Sequence, residues 1–168
     1  AKGDSGQLPY QNPKLPLDMR INDLLSRMNH EEKVGQMNQF VGLEHIRENS
    51  KTMKASDLAT NTATAFYPGI TDKDVAKWTE QGLIGSFLHV LTLEEANELQ
   101  TLNMKSRLKI PLLIGIDAIH GNAKCKNNTV YPTNIGLASS FDVPMAYRIA
   151  RETAQEMRAM NMHWTFNP

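Results

Sequence analysis

The stretch IPLLIGIDAIHG, residues 110–121, decides the fold of this chain. Six of its first seven residues are apolar or Gly, and the run ends at the carboxylate of Asp117. A strand this apolar is typical of parallel sheets that are covered on both faces. Functional groups in such folds lie at the carboxyl ends of strands, which favours a functional role for Asp117. An Asp that caps the next helix or pairs with a neighbouring cation would explain the same position.

Further elements alternate around this strand. LIGSFLHV, residues 83–90, predicts a strand before it, and MHWTF, residues 162–166, predicts one after it. A capping box formed by Thr92 and Glu95 opens a predicted helix that runs to about Arg107. A second helix lies between the last two strands. The order strand, helix, strand, helix, strand predicts an α/β fold with parallel strands and right-handed crossovers.

The N-terminal part of the chain changes its hydrophobic pattern at residue 17. Residues 1–16 are rich in Pro, Gly and polar residues and predict an extended arm, separate from residues 17–168. Apolar residues then recur at helical spacing from Leu17. Asn29 is predicted to cap the next helix, which is expected to carry Val34, Met37 and Phe40 on related faces.

The remaining segments are defined by caps and polar runs. Residues 44–70 are weakly periodic and predict a long connection with at most one short helix. Thr71 caps a helix that Gly82 ends, and Asp142 caps the helix before the last strand. Residues 121–140 are predicted to be a polar segment.

Composition excludes several classes of function. Lys and Arg number 18, as do Asp and Glu, so the chain offers no basic face for nucleic acid. No apolar run approaches the roughly 20 residues that span a bilayer. The single cysteine, Cys125, allows no internal disulfide bond. A first residue other than Met fits a mature protein after signal cleavage, and equally a trimmed chain.

Other apparent motifs do not carry chemistry. HEEKV, residues 30–34, has Val where a zinc protease motif needs its second His. His120 and Cys125 are two ligands at most, which is too few for a zinc site. His89 and His163 lie in predicted strands and are expected in or near the core. The sequence therefore implies neither a metal nor a cofactor.

Four segments, in this order along the chain, resemble glycoside hydrolase family 3 enzymes of the β-glucosidase type. Together they leave out little of the chain besides residues 41–70. The segments are LPLDMRINDLLSRMNHEEKVGQM (15–37), GLIGSFLHV (82–90), SRLKIPLLIGIDAIHG (106–121), and VYPTNIGLASSFD (130–142) with MNMHWTFNP (160–168).

The resemblance implies the N-terminal portion of a (β/α)8 TIM-type barrel that hydrolyses terminal β-linked glucosyl residues, exo-acting and with retention. The Asp of the family's D-x-x-H-G pattern corresponds to Asp117 and would bind sugar hydroxyls in the −1 subsite. A carboxylate suits this role because charge-assisted hydrogen bonds are strong. His120 and Gly121 would turn the chain, and residues 121–125 would line the substrate entrance. Trp164 would be either a core residue or a sugar platform.

Neither catalytic carboxyl group is expected among these 168 residues. Retaining hydrolysis needs a nucleophile and an acid/base about 5–5.5 Å apart. The resemblance assigns them to an Asp and a Glu that would lie C-terminal to Pro168. Because a complete barrel takes about 250 residues, the chain is expected to be part of a longer enzyme.

Two alternatives remain open at this stage. The chain could be a non-catalytic carbohydrate-binding or structural module, or part of a β-xylosidase of the same family. The expected partner is a carbohydrate substrate, with no nucleic acid and no membrane, and the oligomeric state is left undetermined. The family and the processed-looking first residue predict a periplasmic or secreted protein.

Overall fold

Four parallel strands form one sheet in chain order in the computed structural model, which describes residues 7–54, 56 and 67–167. The strands are β1 (Gln39–Val41), β2 (Ser86–Leu88), β3 (Leu113–Ile116) and β4 (Trp164–Thr165). Each strand pairs with the next one along the chain. The sheet therefore grows in one direction, and the predicted parallel α/β arrangement is confirmed.

Helices connect consecutive strands. A short 3-10 helix (Pro9–Gln11) precedes α1 (Leu17–Arg27), α2 (His30–Gly35), α3 (Leu43–Thr52), α4 (Asp72–Glu80), α5 (Leu93–Asn103), α6 (Asn134–Ala138) and α7 (Val143–Ala159). The predicted caps at Asn29, Thr71 and Asp142 are confirmed, since each side chain accepts a backbone N–H of the first turn. Within the described part of the chain, no helix is both long and apolar enough to cross a membrane.

The first strand differs from the prediction. Phe40 lies in β1 and not on the second helix, because α2 already ends at Gly35. A Cβ at Gly35 would lie 2.7 Å from the Cα of Leu83, so only glycine lets α2 end against that backbone. The ring of Phe40 lies 5.8 Å from that of Trp78 on α4. A three-residue strand is too short to show the period-2 alternation by which strands are recognised.

The helices between residues 43 and 142 agree with the prediction in part. Nine residues of helix α3 lie in the segment 44–70, which was expected to hold at most one short helix, while residues 57–66 of that segment lie outside the described part. Helix α5 ends at Asn103, whose amide donates a hydrogen bond to the Ile110 carbonyl, and not near Arg107. Helix α6 lies inside the segment 121–140, for which the sequence predicted only a polar character.

The predicted capping box at Thr92 is formed only in part. Thr92 Oγ1 accepts the Glu95 N–H at 3.2 Å, as expected. The buried carboxylate of Glu95 instead accepts the Glu44 N–H at 2.9 Å, in the first turn of α3. Burial raises the pKa of Glu95. The helix α3, whose N-cap residue is Gly42, thus receives its capping oxygen from the neighbouring helix α5.

The two faces of the sheet differ in burial. Phe87, Ile114 and Ile116 are fully buried and belong to the core. The opposite face carries Leu113 and Trp164, whose exposed fractions are 52% and 47% in the described structure. Among the described residues the helices cover one face of β3, and coverage of the other face stays a prediction.

The segment predicted as an extended arm contains the 3-10 helix. Residues 1–6 lie outside the described part of the chain. The Tyr10 hydroxyl donates to the Leu108 carbonyl at 2.6 Å, and the Tyr10 N–H donates to Asp23 Oδ2 on α1 at 3.1 Å. Residues 9–11 therefore pack against α1 and against the segment that leads into β3.

Glu32 and Arg107 form a charged pair that joins α2 to the segment after α5. Arg107 Nε lies 3.0 Å from Glu32 Oε1, and Arg107 Nη2 lies 2.6 Å from Glu32 Oε2. Hydrogen bonding to Arg107 lowers the pKa of Glu32, against a smaller opposing effect of burial. A lowered folded-state pKa stabilises the protein above the ordinary value of 4.5, and this stabilisation is lost as the pH falls through the folded-state pKa.

We expect Glu32→Gln to lower the unfolding temperature of the complete protein at about pH 7 and to have less effect towards about pH 3. Gln keeps the reciprocal cap with Asn29, because Gln serves in a capping box as Glu does. Thermal unfolding across this pH range measures the effect. Glu31→Gln, in the same helical turn, is the control for loss of a charge. A constant difference between wild type and Glu32→Gln down to about pH 3 would contradict the prediction.

Candidate functional site

Asp117 lies at the carboxyl edge of the sheet, directly after β3. His89 directly follows the neighbouring strand β2, and its N–H continues the strand pairing by donating to the Gly115 carbonyl at 3.1 Å. The side chains meet, with 2.8 Å between His89 Nε2 and Asp117 Oδ2. Parallel pairing therefore brings together two residues that are 28 positions apart in sequence.

The backbone of His89 has an uncommon conformation for a residue with a side chain. Its φ is +55°, in the left-handed region that favours glycine. Non-glycine residues in this region cluster at functional sites, where the surrounding structure holds them in place. The His89 ring lies 6.2 Å from that of His45 on α3, and its side chain is 19% exposed. His89 was expected in or near the core, and its largely buried side chain agrees with this, but its contact with Asp117 was not predicted.

Lys124 completes a cluster of three charged or polar side chains. Its Nζ lies 2.8 Å from His89 Nε2 and 3.4 Å from Asp117 Oδ2. Hydrogen bonding to His89 and the positive charge of Lys124 lower the pKa of Asp117, while burial opposes them. The carboxylate is therefore held ionised. Burial, with smaller effects from His89 and Lys124, lowers the pKa of His45.

Asp117 has one oxygen bound within the cluster and one oxygen available. Both contacts from His89 and Lys124 go to Oδ2. Among the described residues, Oδ1 receives no hydrogen bond, and the side chain is 33% exposed. An ionised carboxylate is an acceptor only, so Oδ1 is suited to a ligand hydroxyl or another donor.

The loop that carries Lys124 is fixed at its base. The Tyr131 N–H donates to the His120 carbonyl at 2.9 Å, and the Thr129 N–H lies 3.1 Å from both carboxylate oxygens of Glu156 on α7. Gly121 has a φ of +80°, and a Cβ there would lie 2.3 Å from the Thr129 carbonyl oxygen. In this geometry His120 and Gly121 form the base of the loop, and among the described residues the hydrogen bonds of the Asp117 carboxylate come from His89 and Lys124.

Other residues singled out from the sequence have structural contacts. His163 Nδ1 accepts the Ile114 N–H at 3.3 Å. Cys125 is buried, and burial raises the pKa of its thiol. The half-exposed Trp164 lies against Phe166, with 4.3 Å between ring centroids. No group of three or more His, Cys, Asp or Glu side chains could hold a metal ion in the part of the chain that the structure describes.

These features define an α/β protein of the TIM-barrel class, with polar groups at the carboxyl ends of its parallel strands. A solved structure supports this class. The exo-1,3/1,4-β-glucanase from a Pseudoalteromonas species superposes with a TM-score of 0.63 at 26% sequence identity, over 89% of this chain and 17% of that chain.

The chain belongs to glycosyl hydrolase family 3: the model of the family's N-terminal domain matches residues 29–168. The lysosomal beta glucosidase of Dictyostelium discoideum is 30% identical over 155 residues, which are 90% of this chain and 18% of that protein. The periplasmic beta-glucosidase of Salmonella typhimurium is 28% identical over 151 residues, 88% of this chain and 16% of that protein. The chain thus spans less than a fifth of the length of these two relatives.

Proposed function

We propose that this chain forms part of the sugar site of an exo-acting, retaining β-glycosidase that hydrolyses terminal β-linked glucosyl residues. The observation that carries the proposal is Asp117, an ionised carboxylate at a strand end with one oxygen available. Family membership supports glycoside hydrolysis. The names of the relatives, beta-glucosidases and an exo-1,3/1,4-β-glucanase, support β-linked glucosides as substrates.

In the proposed reaction Asp117 binds substrate and takes no part in bond cleavage. Its Oδ1 accepts a hydrogen bond from a hydroxyl of the terminal sugar. If this bond shortens as the sugar ring flattens, it stabilises the transition state more than the bound substrate and so raises the rate. The nucleophile and the acid/base belong, in this proposal, to an Asp and a Glu C-terminal to Pro168. Residues 17–168 would then be the N-terminal part of the barrel domain.

A β-xylosidase is the second candidate. One relative, from Dickeya chrysanthemi, is named a periplasmic beta-glucosidase/beta-xylosidase and is 26% identical over 95% of this chain and 24% of that protein. Two relatives carry the word periplasmic in their names, which supports a periplasmic or secreted location for this protein. Fractionation of the source cells, followed by immunodetection, tests that location.

Hydrolysis of aryl glycosides by the complete protein tests the proposed function. We expect turnover of p-nitrophenyl β-glucoside and release of glucose from the non-reducing end of β-linked gluco-oligosaccharides. Faster turnover of the β-xyloside would favour the second candidate. NMR of the first-formed product should show the β-anomer, because hydrolysis proceeds with retention. Oligosaccharide binding without turnover of any β-glycoside would contradict the hydrolase and favour a non-catalytic module.

A further inference from the structure

Lys124 places a positive charge beside Asp117. If Asp117 alone bound the sugar, this charge would have no role in binding. A lysine ammonium has three N–H donors and no acceptor. At most two of them are used, in the contacts with His89 Nε2 and Asp117 Oδ2. The third has no acceptor among the described residues, and the Lys124 side chain is 41% exposed. An available donor therefore lies next to the available acceptor, Asp117 Oδ1.

We propose that Lys124 is a second substrate-binding residue, which together with Asp117 binds two neighbouring hydroxyl groups of the terminal sugar. This inference rests on the proposed function. Asp117 Oδ1 accepts the hydrogen of one hydroxyl, and Lys124 Nζ donates to the oxygen of the next. Because the donor and the acceptor lie side by side, the pair selects sugars that carry both hydroxyls in the matching orientation.

His89 positions this pair without contacting the sugar. Its Nε2 carries either a proton or a lone pair, so it hydrogen-bonds Asp117 or Lys124 but not both at once. When Nε2 donates to Asp117 Oδ2, Lys124 has two unused donors. When Nε2 accepts from Lys124, one donor remains unused. Lys124 can therefore donate to a ligand in either tautomer of His89.

The neighbours of Lys124 hold it in place. Cys125, the next residue, is buried, as is Asn122, and the Cys125 N–H donates to the Asn122 carbonyl at 3.0 Å. These two buried residues anchor the tip of the loop, and the Gly121 turn anchors its base. A lysine held in this way needs less ordering when a ligand binds than one on an unanchored loop.

Kinetics with sugar analogues test the inference. In the complete protein, Lys124→Met should lower kcat/KM on an aryl β-glucoside by about 10- to 100-fold, the range for a hydrogen bond to a charged group. Wild type should show a similar loss on one monodeoxy analogue of that glucoside. On that analogue, Lys124→Met should cause no further loss, since the interacting hydroxyl is already missing. Lys126→Met, an exposed lysine of the same loop, is the matched control.

Two outcomes would overturn the inference while leaving the proposed function intact. One is that Lys124→Met and Lys126→Met have equal kinetics. The other is that Lys124→Met loses the same factor on every monodeoxy analogue, which indicates a general distortion of the site. Lys124→Gln, which keeps a donor, and the unfolding temperatures of all variants check that the fold is retained. Failure of wild type to hydrolyse any β-glycoside would overturn the proposed function and this inference with it.

Discussion

Replacing Asp117 by Asn in the complete protein should lower kcat/KM on an aryl β-glucoside by about 10- to 150-fold. A hydrogen bond to a charged acceptor contributes about 1.5–3 kcal/mol, and about 1.4 kcal/mol is a tenfold change in rate. Asn removes the charge and leaves Lys124 without its counterion. Steady-state kinetics measure the loss, and thermal unfolding shows whether the fold is kept. The unfolding temperature should change little, because a partly exposed ion pair contributes about 0–1 kcal/mol.

The matched control for this variant is Asp18→Asn. Asp18 lies in the exposed first turn of α1, so its replacement removes the same charge far from the sheet edge. We expect wild-type kinetics for it. Wild-type kinetics for Asp117→Asn would refute the assignment of Asp117 as a sugar-binding residue. A variant that fails to fold would support the alternative of a structural Asp, which the sequence left open.

Replacing Gly121 by Ala should destabilise the protein by about 2–4 kcal/mol and displace the loop that carries Lys124. Two effects add at this position. The backbone has a φ of +80°, and the new Cβ would lie 2.3 Å from the Thr129 carbonyl oxygen, which is backbone and cannot rotate away. Activity on the β-glucoside should fall as well, because Lys124 moves away from Asp117. Thermal unfolding and kcat/KM of the same preparation measure both effects.

Gly69→Ala separates the effect of backbone strain from the effect of the close contact. Gly69 has nearly the same φ, +79°, but no atom lies within 4 Å of its Cβ position among the described residues. We expect it to show only the backbone strain, about 1–2 kcal/mol, and unchanged kinetics. If both variants lose the same stability, the close contact at Gly121 has no energetic effect, and the proposed anchoring of the loop is wrong.

Three of the four described strands were predicted from sequence. β2 and β3 lie inside apolar runs, and β4 lies in the predicted strand at residues 162–166. The caps at Asn29 and Thr71 were correctly placed because capping is a local interaction between residues three apart. β1 was missed because it is short, and packing of Phe40 against Trp78 on α4 holds it in place. Such a tertiary contact leaves no periodic pattern of apolar residues in the sequence.

Some residues of the candidate site could likewise be predicted from the sequence, and others could not. Asp117 could be predicted because it is the first polar residue after an apolar strand. His89 has a similar position after the neighbouring strand, and this was the signal that could have indicated its contact with Asp117. Lys124 had no such signal, since its position depends on the path of a loop that is fixed by burial and by contacts with α7.

The side chains that fit at positions 42 and 95 depend on each other. A Cβ on Gly42 would lie 2.7 Å from Glu95 Oε1 and 3.0 Å from the His89 carbonyl oxygen, so a larger residue at position 42 would displace the Glu95 carboxylate. The same carboxylate caps the N-terminus of α3, and His45 follows in its first turn, beside His89. A substitution in α5 can therefore be transmitted through α3 to the residues beside Asp117, and relatives that change one of the two positions are expected to change the other.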